Sequence, residues 1–260
     1  VTNPKVNIRT ETMKVSNILK GNFQIETNSL STDLTYVDLK EMMPTFISSK
    51  MKNFADDFGR LKYNGAVRVT PKEVFVPKAN LITGIGQAKI TNFYLNDYSS
   101  ALPKYRGFAE VNDLNTSVIT KSKEVGLISG KFNLQGESFD VNTMRLKTRS
   151  QISKIEILNK EINTIYLDGF LDHKTYKGIV NVNDDQAKAN VNGFIDFRTK
   201  KLFADVTADV QFLNLNYFTG GKGSQIVSGL VKGKIGMTNL NDLNLDADLQ
   251  NVTFTNKKKK

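Results

Sequence analysis

The chain has 260 residues, a hydrophobic content of 39%, a formal net charge of +10 and no cysteine. The absence of cysteine excludes disulfides, thiolate zinc sites and cysteine nucleophiles. No segment approaches the run of ~18 apolar residues that a membrane-spanning helix needs.

The N-terminal part of the chain predicts leading β-strands followed by one amphipathic helix. We expect one or two strands within Lys5–Ile25 and assign residues 1–35 to this leading segment. Residues 36–58 have apolar residues at helical spacing, with Thr35 or Asp38 as the cap, Gly59 as the stop and a kink near Pro44.

Residues 59–260 predict a continuous series of strands joined by short polar turns, with no independent domains. Both ends of the chain look unnatural, so we expect a piece of something longer. Asn214–Ser224, which is rich in glycine, predicts a longer loop. The expected strands are Arg60–Val69, Glu73–Ala79, Gln87–Asn96, Tyr105–Asn112, Thr116–Thr120, Val125–Gln135, Phe139–Arg149, Ser153–Leu158, Ile162–Leu171, Lys174–Val182, Ala187–Phe197, Leu202–Phe212, Ile226–Met237 and Leu243–Leu249.

The strongest pattern in the chain is the alternation of apolar and polar residues over Ala187–Phe197 and Leu202–Phe212. A period of two residues is typical of a strand with one apolar and one polar face, and Phe194 is the exception. Many residues of the apolar set are small, and such residues leave room that leucine or phenylalanine would fill. We therefore expect an apolar face with room above it rather than an ordinary packed core.

Residues suited to catalysis or to metal binding are scarce. The single histidine, His173, lies at an expected hairpin tip without partners, and Asp205 and Asp209 are expected on a solvated strand face. We therefore predict no enzyme, no catalytic or metal-binding residue and no cofactor. Nucleic acid is also not expected as a partner, because Lys257–Lys260 supply four of the positive charges and most other cations are interleaved with aspartates.

Five motifs follow one another in the second half of the chain: Ile165-Tyr166-Leu167-Asp168-Gly169, Tyr176-Lys177-Gly178, Val182-Asn183-Asp184-Asp185, Val191-Asn192-Gly193-Phe194-Ile195-Asp196-Phe197 and Ala204-Asp205-Val206-Thr207-Ala208-Asp209-Val210. The segments around them are Asp38-Leu39-Lys40, Met43-Pro44, Phe58-Gly59-Arg60-Leu61 and Asn64-Gly65 upstream and Val252-Thr253-Phe254-Thr255 downstream. In this order, from about Thr32 onward, they resemble the central region of TamB-type proteins, the large AsmA-like envelope proteins of Gram-negative bacteria. The upstream segments resemble the family's helix and its return to the sheet, and the downstream one resembles the start of a further segment.

This resemblance implies an all-β fold with one amphipathic helix, in which a long curled antiparallel sheet forms an open apolar groove. It implies a periplasmic bridge protein, anchored in the inner membrane when full-length, that carries phospholipid between the inner and outer membranes. The implied partners are phospholipid acyl chains and an outer-membrane barrel protein of the Omp85 type. The residues expected to line the groove are Ile165, Leu167, Val191, Ile195, Phe197, Leu202, Val206, Val210, Phe212, Val231 and Ile235.

Two other functions are compatible with the sequence. One is a scaffold or assembly factor for outer-membrane proteins, whose sheet edges pair with a client strand or a barrel partner. The other is an extracellular β-solenoid or adhesin fragment, in which the inward-facing side chains would be completely buried.

Overall fold

A computed structural model describes residues 7–18, 21–42, 57, 59–120, 124–239 and 242–257. Most of these residues belong to strands of one sheet, and three short helices interrupt the series. The helices are α1 (Tyr36–Met42), α2 (Thr116–Thr120) and α3 (Leu215–Thr219). The strands are β1 (Asn7–Thr10), β2 (Met13–Ser16), β3 (Gln24–Thr35), β4 (Arg60–Val69), β5 (Glu73–Thr83), β6 (Gly86–Asn96), β7 (Lys104–Asn115), β8 (Val125–Glu137), β9 (Arg145–Ile157), β10 (Lys160–Asp172), β11 (Thr175–Asn183), β12 (Ala187–Asp196), β13 (Leu202–Asn214), β14 (Ser224–Asn239) and β15 (Asp242–Lys257).

The sheet is a long antiparallel meander, in which each strand from β3 to β15 pairs with the next strand along the chain. Strands β1 and β2 both pair with β3 and together form the first edge, and β15 forms the second edge. The two edges are not hydrogen-bonded to each other, so the sheet is open. The expected fold, an all-β chain built on one long curled antiparallel sheet, is confirmed.

Two-residue hairpins join several strands tightly. His173 and Lys174 both have positive φ, at 48° and 63°, and Leu158 and Asn159 have φ of 52° and 60°. Two consecutive residues of this kind are typical of a type I′ turn, whose twist matches that of the flanking strands. His173 is therefore a turn residue, as expected, and its Nδ1 contacts the carboxylate of Asp172.

Helix α1 begins with reciprocal hydrogen bonds between the two residues expected to cap it. The backbone N–H and the hydroxyl of Thr35 each donate to Oδ2 of Asp38 at 2.7 Å, and the N–H of Asp38 donates to Thr35 Oγ1 at 3.3 Å. These bonds hold the pKa of Asp38 below its usual value. The rest of the expected helix, including Pro44, lies outside the described residues.

The expected strand Thr116–Thr120 is wrong, because these residues form helix α2. Their β-branched side chains favour a strand locally. However, Thr116 Oγ1 donates to the carbonyl of Gly126 at 2.7 Å, and Ser117 Oγ donates to Asn115 Oδ1 at 2.6 Å. These bonds form where the chain leaves β7 and turns toward β8. They stabilise the turn there, and this stabilisation outweighs the weak preference of these residues for a strand.

The expected strands Phe139–Arg149 and Ser153–Leu158 are also wrong in their bounds, because a single strand, β9, includes the end of the first, from Arg145, and all of the second except Leu158. Before β9 the chain forms a turn in which Ser138 Oγ accepts from the N–H of Asp140, and Asp140 Oδ1 accepts from the N–H of Asn142. Short polar side chains that bond to the backbone in this way stabilise turns in competition with strands.

Candidate functional site

One row of side chains crosses thirteen consecutive strands on the same face of the sheet. Each member lies directly opposite the next across a strand pair, so all of them point to one side. We call this row the central row, and the side of the sheet that bears it the apolar face. From β3 to β15 its members are Leu30, Gly65, Ala79, Ile90, Ala109, Phe132, Ser150, Leu167, Val180, Val191, Ala208, Val231 and Leu249.

A second row on the apolar face runs parallel to the central row and is also uncharged. It lies toward the sheet margin that bears the β10–β11 and β12–β13 turns, and it includes two tyrosines. Its members from β3 to β14 are Ile25, Val69, Val74, Leu95, Tyr105, Gly136, Leu146, Leu171, Tyr176, Ile195, Ala204 and Ile235.

No second sheet covers the apolar face among the described residues. The extensive contacts in this part of the chain join neighbouring strands, or join a short helix to β3, β8 or β14. Even so, Ala204, Val206 and Ala208 are only 6%, 6% and 8% exposed. Since no second sheet shields them, their burial comes from the side chains beside them.

Three glycines lie side by side in the middle of the apolar face, at Gly169 in β10, Gly178 in β11 and Gly193 in β12. A β-carbon on Gly178 would lie 2.5 Å from the Cα of Gly169 and 2.7 Å from the hydroxyl of Tyr176. The ring of Tyr176 therefore occupies space that side chains at these positions would fill. An aromatic ring that covers glycines of neighbouring strands is a recognised device for stabilising curved sheets.

Three tyrosines bring hydroxyl groups to the apolar face without bringing charge. Tyr63 donates to the carbonyl of Ala66 at 2.7 Å, and Tyr176 donates to the carbonyl of Ile179 at 3.1 Å. Burial raises the pKa of Tyr63, Tyr105 and Tyr176 to about 12. At neutral pH these groups are therefore protonated, and the face stays uncharged.

Two hydroxyl side chains in the middle of the apolar face satisfy each other. Thr148 and Ser150 are 7% and 1% exposed, and their hydroxyl oxygens are 2.6 Å apart. A buried hydroxyl is costly only when it lacks a hydrogen-bond partner. These two polar residues therefore do not interrupt the apolar face.

The opposite face of the sheet carries the charges, and we call it the polar face. Arg145 lies between Glu137 and Asp172 at 3.4 and 3.2 Å, and Arg149 lies 2.9 Å from Asp168. The guanidinium of Arg149 lowers the pKa of Asp168. The two faces thus differ sharply in chemistry.

Aromatic residues on the polar face are stacked with arginines. The rings of Phe75 and Tyr94 are 4.3 Å apart, with Arg68 over Phe75 and Arg106 over Tyr94 at 5.0 and 4.5 Å. Phe194, the exception to the alternation, also lies on this face, opposite Lys177 and Asp205. The position of Phe194 on the polar face therefore agrees with the pairing register of β11, β12 and β13.

Two concavities between side chains of the described residues lie on the polar face. One of about 550 Å³ is lined by Lys78, Lys89, Lys131, Arg149 and Phe108, among others. Another of about 640 Å³ lies beside Arg106 and Phe170. Both are open gaps between long side chains, and neither contains a set of groups with a catalytic geometry.

Nine of the eleven residues expected to line the groove lie on the apolar face. The side chains of these nine residues lie on the same side of the sheet as the central row. They are Ile165, Leu167, Val191, Ile195, Leu202, Val206, Val210, Val231 and Ile235.

Of the other two, Phe212 requires correction, and Phe197 lies outside the paired strands. Phe197 follows the end of β12, is 42% exposed, and donates its backbone N–H to the carbonyl of Lys174 at 3.0 Å. Phe212 lies opposite Lys188, an exposed residue of the polar face. The register shifts between Lys188 and Ala189, so an extra residue in β13 reverses the faces from that point onward. Leu213, opposite the buried Ala187, takes the place expected for Phe212.

Helix α3 lies where a loop was expected and places an aromatic residue on the apolar face. Phe218 packs against the cluster formed by Ile152, Ile162 and Ile165. The hydroxyl of Tyr217 donates to the carbonyl of Glu161 at 2.7 Å. The helix thus connects the end of β13 to the start of β10. The segment Leu215-Asn216-Tyr217-Phe218 contained an apolar signal, but a five-residue helix is too short to show helical periodicity.

Within the described ranges, no group of three or more histidine, aspartate or glutamate side chains is placed to hold a metal ion. In the same part of the chain, none of the helices has the length and apolar character needed to cross a membrane. The most distinctive feature of the described structure is therefore its uncovered apolar face. Comparison with known proteins finds no matching family model, no matching curated protein and no matching solved structure.

Proposed function

We propose that this chain is a segment of a lipid-carrying groove, and that its apolar face holds the acyl chains of phospholipids. The observation that carries the proposal is the central row, which runs from Leu30 to Leu249 across thirteen strands without a charged residue and without a covering layer. Most side chains of the central row are partly exposed, and an apolar occupant would remove them from water.

The composition of the apolar face suits an occupant that slides. Each CH₂ group that leaves water for an apolar surface gains about 0.8 kcal/mol, so two long acyl chains are held firmly. The attraction is non-directional, and no charge in the rows named above would fix a headgroup in one place. Alanines such as Ala189 and Ala208 keep the side chains of this face short.

We place the chain in the TamB-type family on the order of its motifs. These motifs fall on the consecutive strands β10 to β13, which together carry seven of the nine groove-lining residues on the apolar face. In this proposal the full-length protein is anchored in the inner membrane, spans the periplasm, and meets an outer-membrane barrel protein of the Omp85 type. The groove then conducts phospholipid between the two membranes and supports outer-membrane biogenesis.

Site-specific photo-crosslinking in cells tests this function. A photoreactive residue at Val206, on the apolar face, is expected to capture phospholipid, detected by mass spectrometry of the crosslinked protein. The matched control is Thr207, the exposed neighbour on the polar face of the same strand. Capture of protein alone at Val206, or equal capture of lipid at both positions, would refute the proposal.

A scaffold or assembly factor is the second candidate, and the long β15 edge favours it. Among the described residues no strand pairs with the outer edge of this 16-residue strand, and such an edge is able to accept a client strand by β-augmentation. Lipid extraction from the purified protein separates the two functions. A groove protein retains phospholipid after purification, whereas an assembly factor that acts only through its edge is expected to be lipid-free.

A further inference from the structure

The polar face has a feature that the proposed function does not use. Its two concavities have the same composition, because each is lined by four cations, one glutamate and one exposed phenylalanine. The phenylalanines are Phe108 and Phe170, which are 53% and 43% exposed. The cations are Lys78, Lys89, Lys131 and Arg149 around Phe108, and Lys104, Arg106, Arg145 and Lys147 around Phe170. We call these ten residues together the basic patch.

The two concavities adjoin each other. Lys147 and Arg149 are two residues apart on the polar face of β9, and each lines one concavity. Residues at this spacing in a strand are about 7 Å apart. Phe108 on β7 and Phe170 on β10 are separated by three strand steps, or about 14 Å at the usual distance between strands. The basic patch is therefore one extended surface with two separate rings.

Most cations of the basic patch have no ion-pair partner within the described part of the chain. Arg145 is held by Glu137 and Asp172, and Arg149 by Asp168. No carboxylate of the described residues lies within ion-pair distance of the other six cations, namely Lys78, Lys89, Lys104, Arg106, Lys131 and Lys147. Their charge remains uncompensated, and an anionic ligand would neutralise it.

The charge of the polar face reverses toward β13, β14 and β15. Lys234 on β14 lies between Asp205 of β13 and Asp246 of β15, and Lys232 lies opposite Asp248. Aspartates outnumber lysines in this part of the face. A polyanion would therefore be attracted to the basic patch and repelled from the strands beyond it.

The arrangement of the aromatic rings distinguishes between classes of polyanion. Phe75 and Tyr94 stack on each other, and an arginine lies over the outer face of each ring, so neither ring has a free face. Phe108 and Phe170 have no such contact with the described residues. A single-stranded nucleic acid stacks successive bases on aromatic side chains. Two isolated rings about 14 Å apart do not form such a platform. They suit a polymer of saturated rings with acidic groups between its contact points.

We propose that the basic patch binds an acidic polysaccharide, a chain of sugar rings that bear carboxylates. The C–H groups on the face of a sugar ring pack against the exposed rings of Phe108 and Phe170, which removes apolar surface from water. The lysines neutralise the carboxylates. Arg106, whose guanidinium lies 4.5 Å from the centre of the Tyr94 ring, has a planar fork of N–H groups that matches a carboxylate. This binding uses the face opposite the central row and does not depend on lipid.

Isothermal titration calorimetry of the purified chain with oligogalacturonate tests the proposal. Binding is expected, and it should weaken as the salt concentration rises, because exposed charges are screened. Methyl-esterified oligogalacturonate has the same sugar rings without charge and should bind at least about tenfold more weakly. No binding of oligogalacturonate at low ionic strength would overturn the proposal, whether or not the apolar face carries lipid. Equal or tighter binding of oligo(dT) or of phosphatidylglycerol vesicles would also overturn it, because the patch would then recognise a nucleic acid or a lipid surface.

Variants separate the contribution of the rings from that of the charges. Phe108→Ala and Phe170→Ala should each weaken oligogalacturonate binding about tenfold. Phe203→Ala is the matched control, because Phe203 is 38% exposed on the polar face of β13, outside the basic patch, and its loss should leave the affinity unchanged. Wild-type affinity in both phenylalanine variants of the patch would show that charge alone drives binding, and would overturn the assignment to a polysaccharide.

The charges are tested with a pair of double variants. Lys89→Gln combined with Lys131→Gln should weaken binding about tenfold at low salt. Lys232→Gln combined with Lys234→Gln removes the same charge from β14, where aspartates lie opposite, and should not weaken it. Equal losses in the two double variants would show that net charge rather than the basic patch determines binding, and would contradict the proposed site.

Discussion

The ring of Tyr176 lies over Gly169 of the neighbouring strand, and its Cζ is 2.5 Å from the position that a β-carbon on Gly169 would occupy. The tyrosine ring therefore occupies the space on the apolar face that a side chain at residue 169 would fill. A substitution at the glycine must move the ring and break the hydrogen bond from the Tyr176 hydroxyl to the carbonyl of Ile179.

Gly169→Ala is expected to destabilise the sheet by about 1–3 kcal/mol, the usual cost of overpacking. Thermal denaturation followed by circular dichroism measures the effect. Gly236→Ala in β14 is the matched control, because its β-carbon would meet only the end of the Lys201 side chain, at 3.1 Å, and ordinary contacts beyond that. Equal melting temperatures for the two variants would contradict the claim that the Tyr176 ring fills the space next to Gly169.

The register shift in β13 predicts opposite effects for two adjacent residues. Leu213→Asp places a carboxylate on the apolar face opposite Ala187 and Val227, and should cost about 2 kcal/mol or more. Phe212→Asp places it opposite Lys188, and should change stability by less than about 1 kcal/mol. Urea denaturation of both variants checks this, and a reversed order would show that the faces are not exchanged after Val210.

Val206→Asp is expected to abolish phospholipid binding while the sheet stays folded. Val206 is only 6% exposed, so some loss of stability is expected, as for Leu213→Asp, and acyl chains would in addition have to exclude water from the carboxylate completely. Thr207→Asp, on the polar face of the same strand, should retain bound lipid. Quantification of lipid in the purified variants gives the result, and circular dichroism confirms the fold. Equal lipid content in both would count against the groove.

Stability should fall at alkaline pH because of the buried tyrosines. Burial raises the pKa of Tyr105 from 10.0 to about 12. Below pH 10 the phenol is protonated in both folded and unfolded chains and its contribution is fully present. Between about 10 and 12 the unfolded chain loses the proton first, so stability falls by up to about 1.4 kcal/mol per pH unit.

Tyr105→Phe removes this titration and is the matched variant. The difference in unfolding free energy between wild type and Tyr105→Phe should be constant up to about pH 9, and should then shift in favour of the variant as the pH rises toward 12. A difference that does not change with pH would show that the phenol is not shielded from water in the folded chain.

Several elements were predictable because their causes are local. The alternation over residues 202–210 predicts both the strand and its two faces, since successive side chains of a strand point to opposite sides. The cap of α1 was predictable for the same reason, because Thr35 and Asp38 are three residues apart and bond to each other. Nine groove-lining positions follow from the same alternation.

Other elements depended on residues distant in sequence. Strand β3 is rich in serine and threonine and was not predicted as a separate element, yet Thr27 is 3% exposed on the apolar face and bonds to Thr10 Oγ1 at 2.6 Å. Strand β9 passes through Thr148 and Ser150, whose buried hydroxyls satisfy each other. A polar residue is accommodated on an apolar face when it finds a partner there, and the position of that partner depends on how the strands pair.

The alternation of apolar and polar residues is enough to predict long strands with one apolar and one polar face, because the period of two is a property of the extended backbone. Where that period is interrupted depends on strand pairing: the extra residue in β13 moves Phe212 to the polar face and brings Leu213 opposite Ala187. The helix at Thr116–Thr120 likewise depends on a bond to β8, from the Thr116 hydroxyl to the carbonyl of Gly126. Register and edges are relations between strands, so pairing rather than local preference sets them.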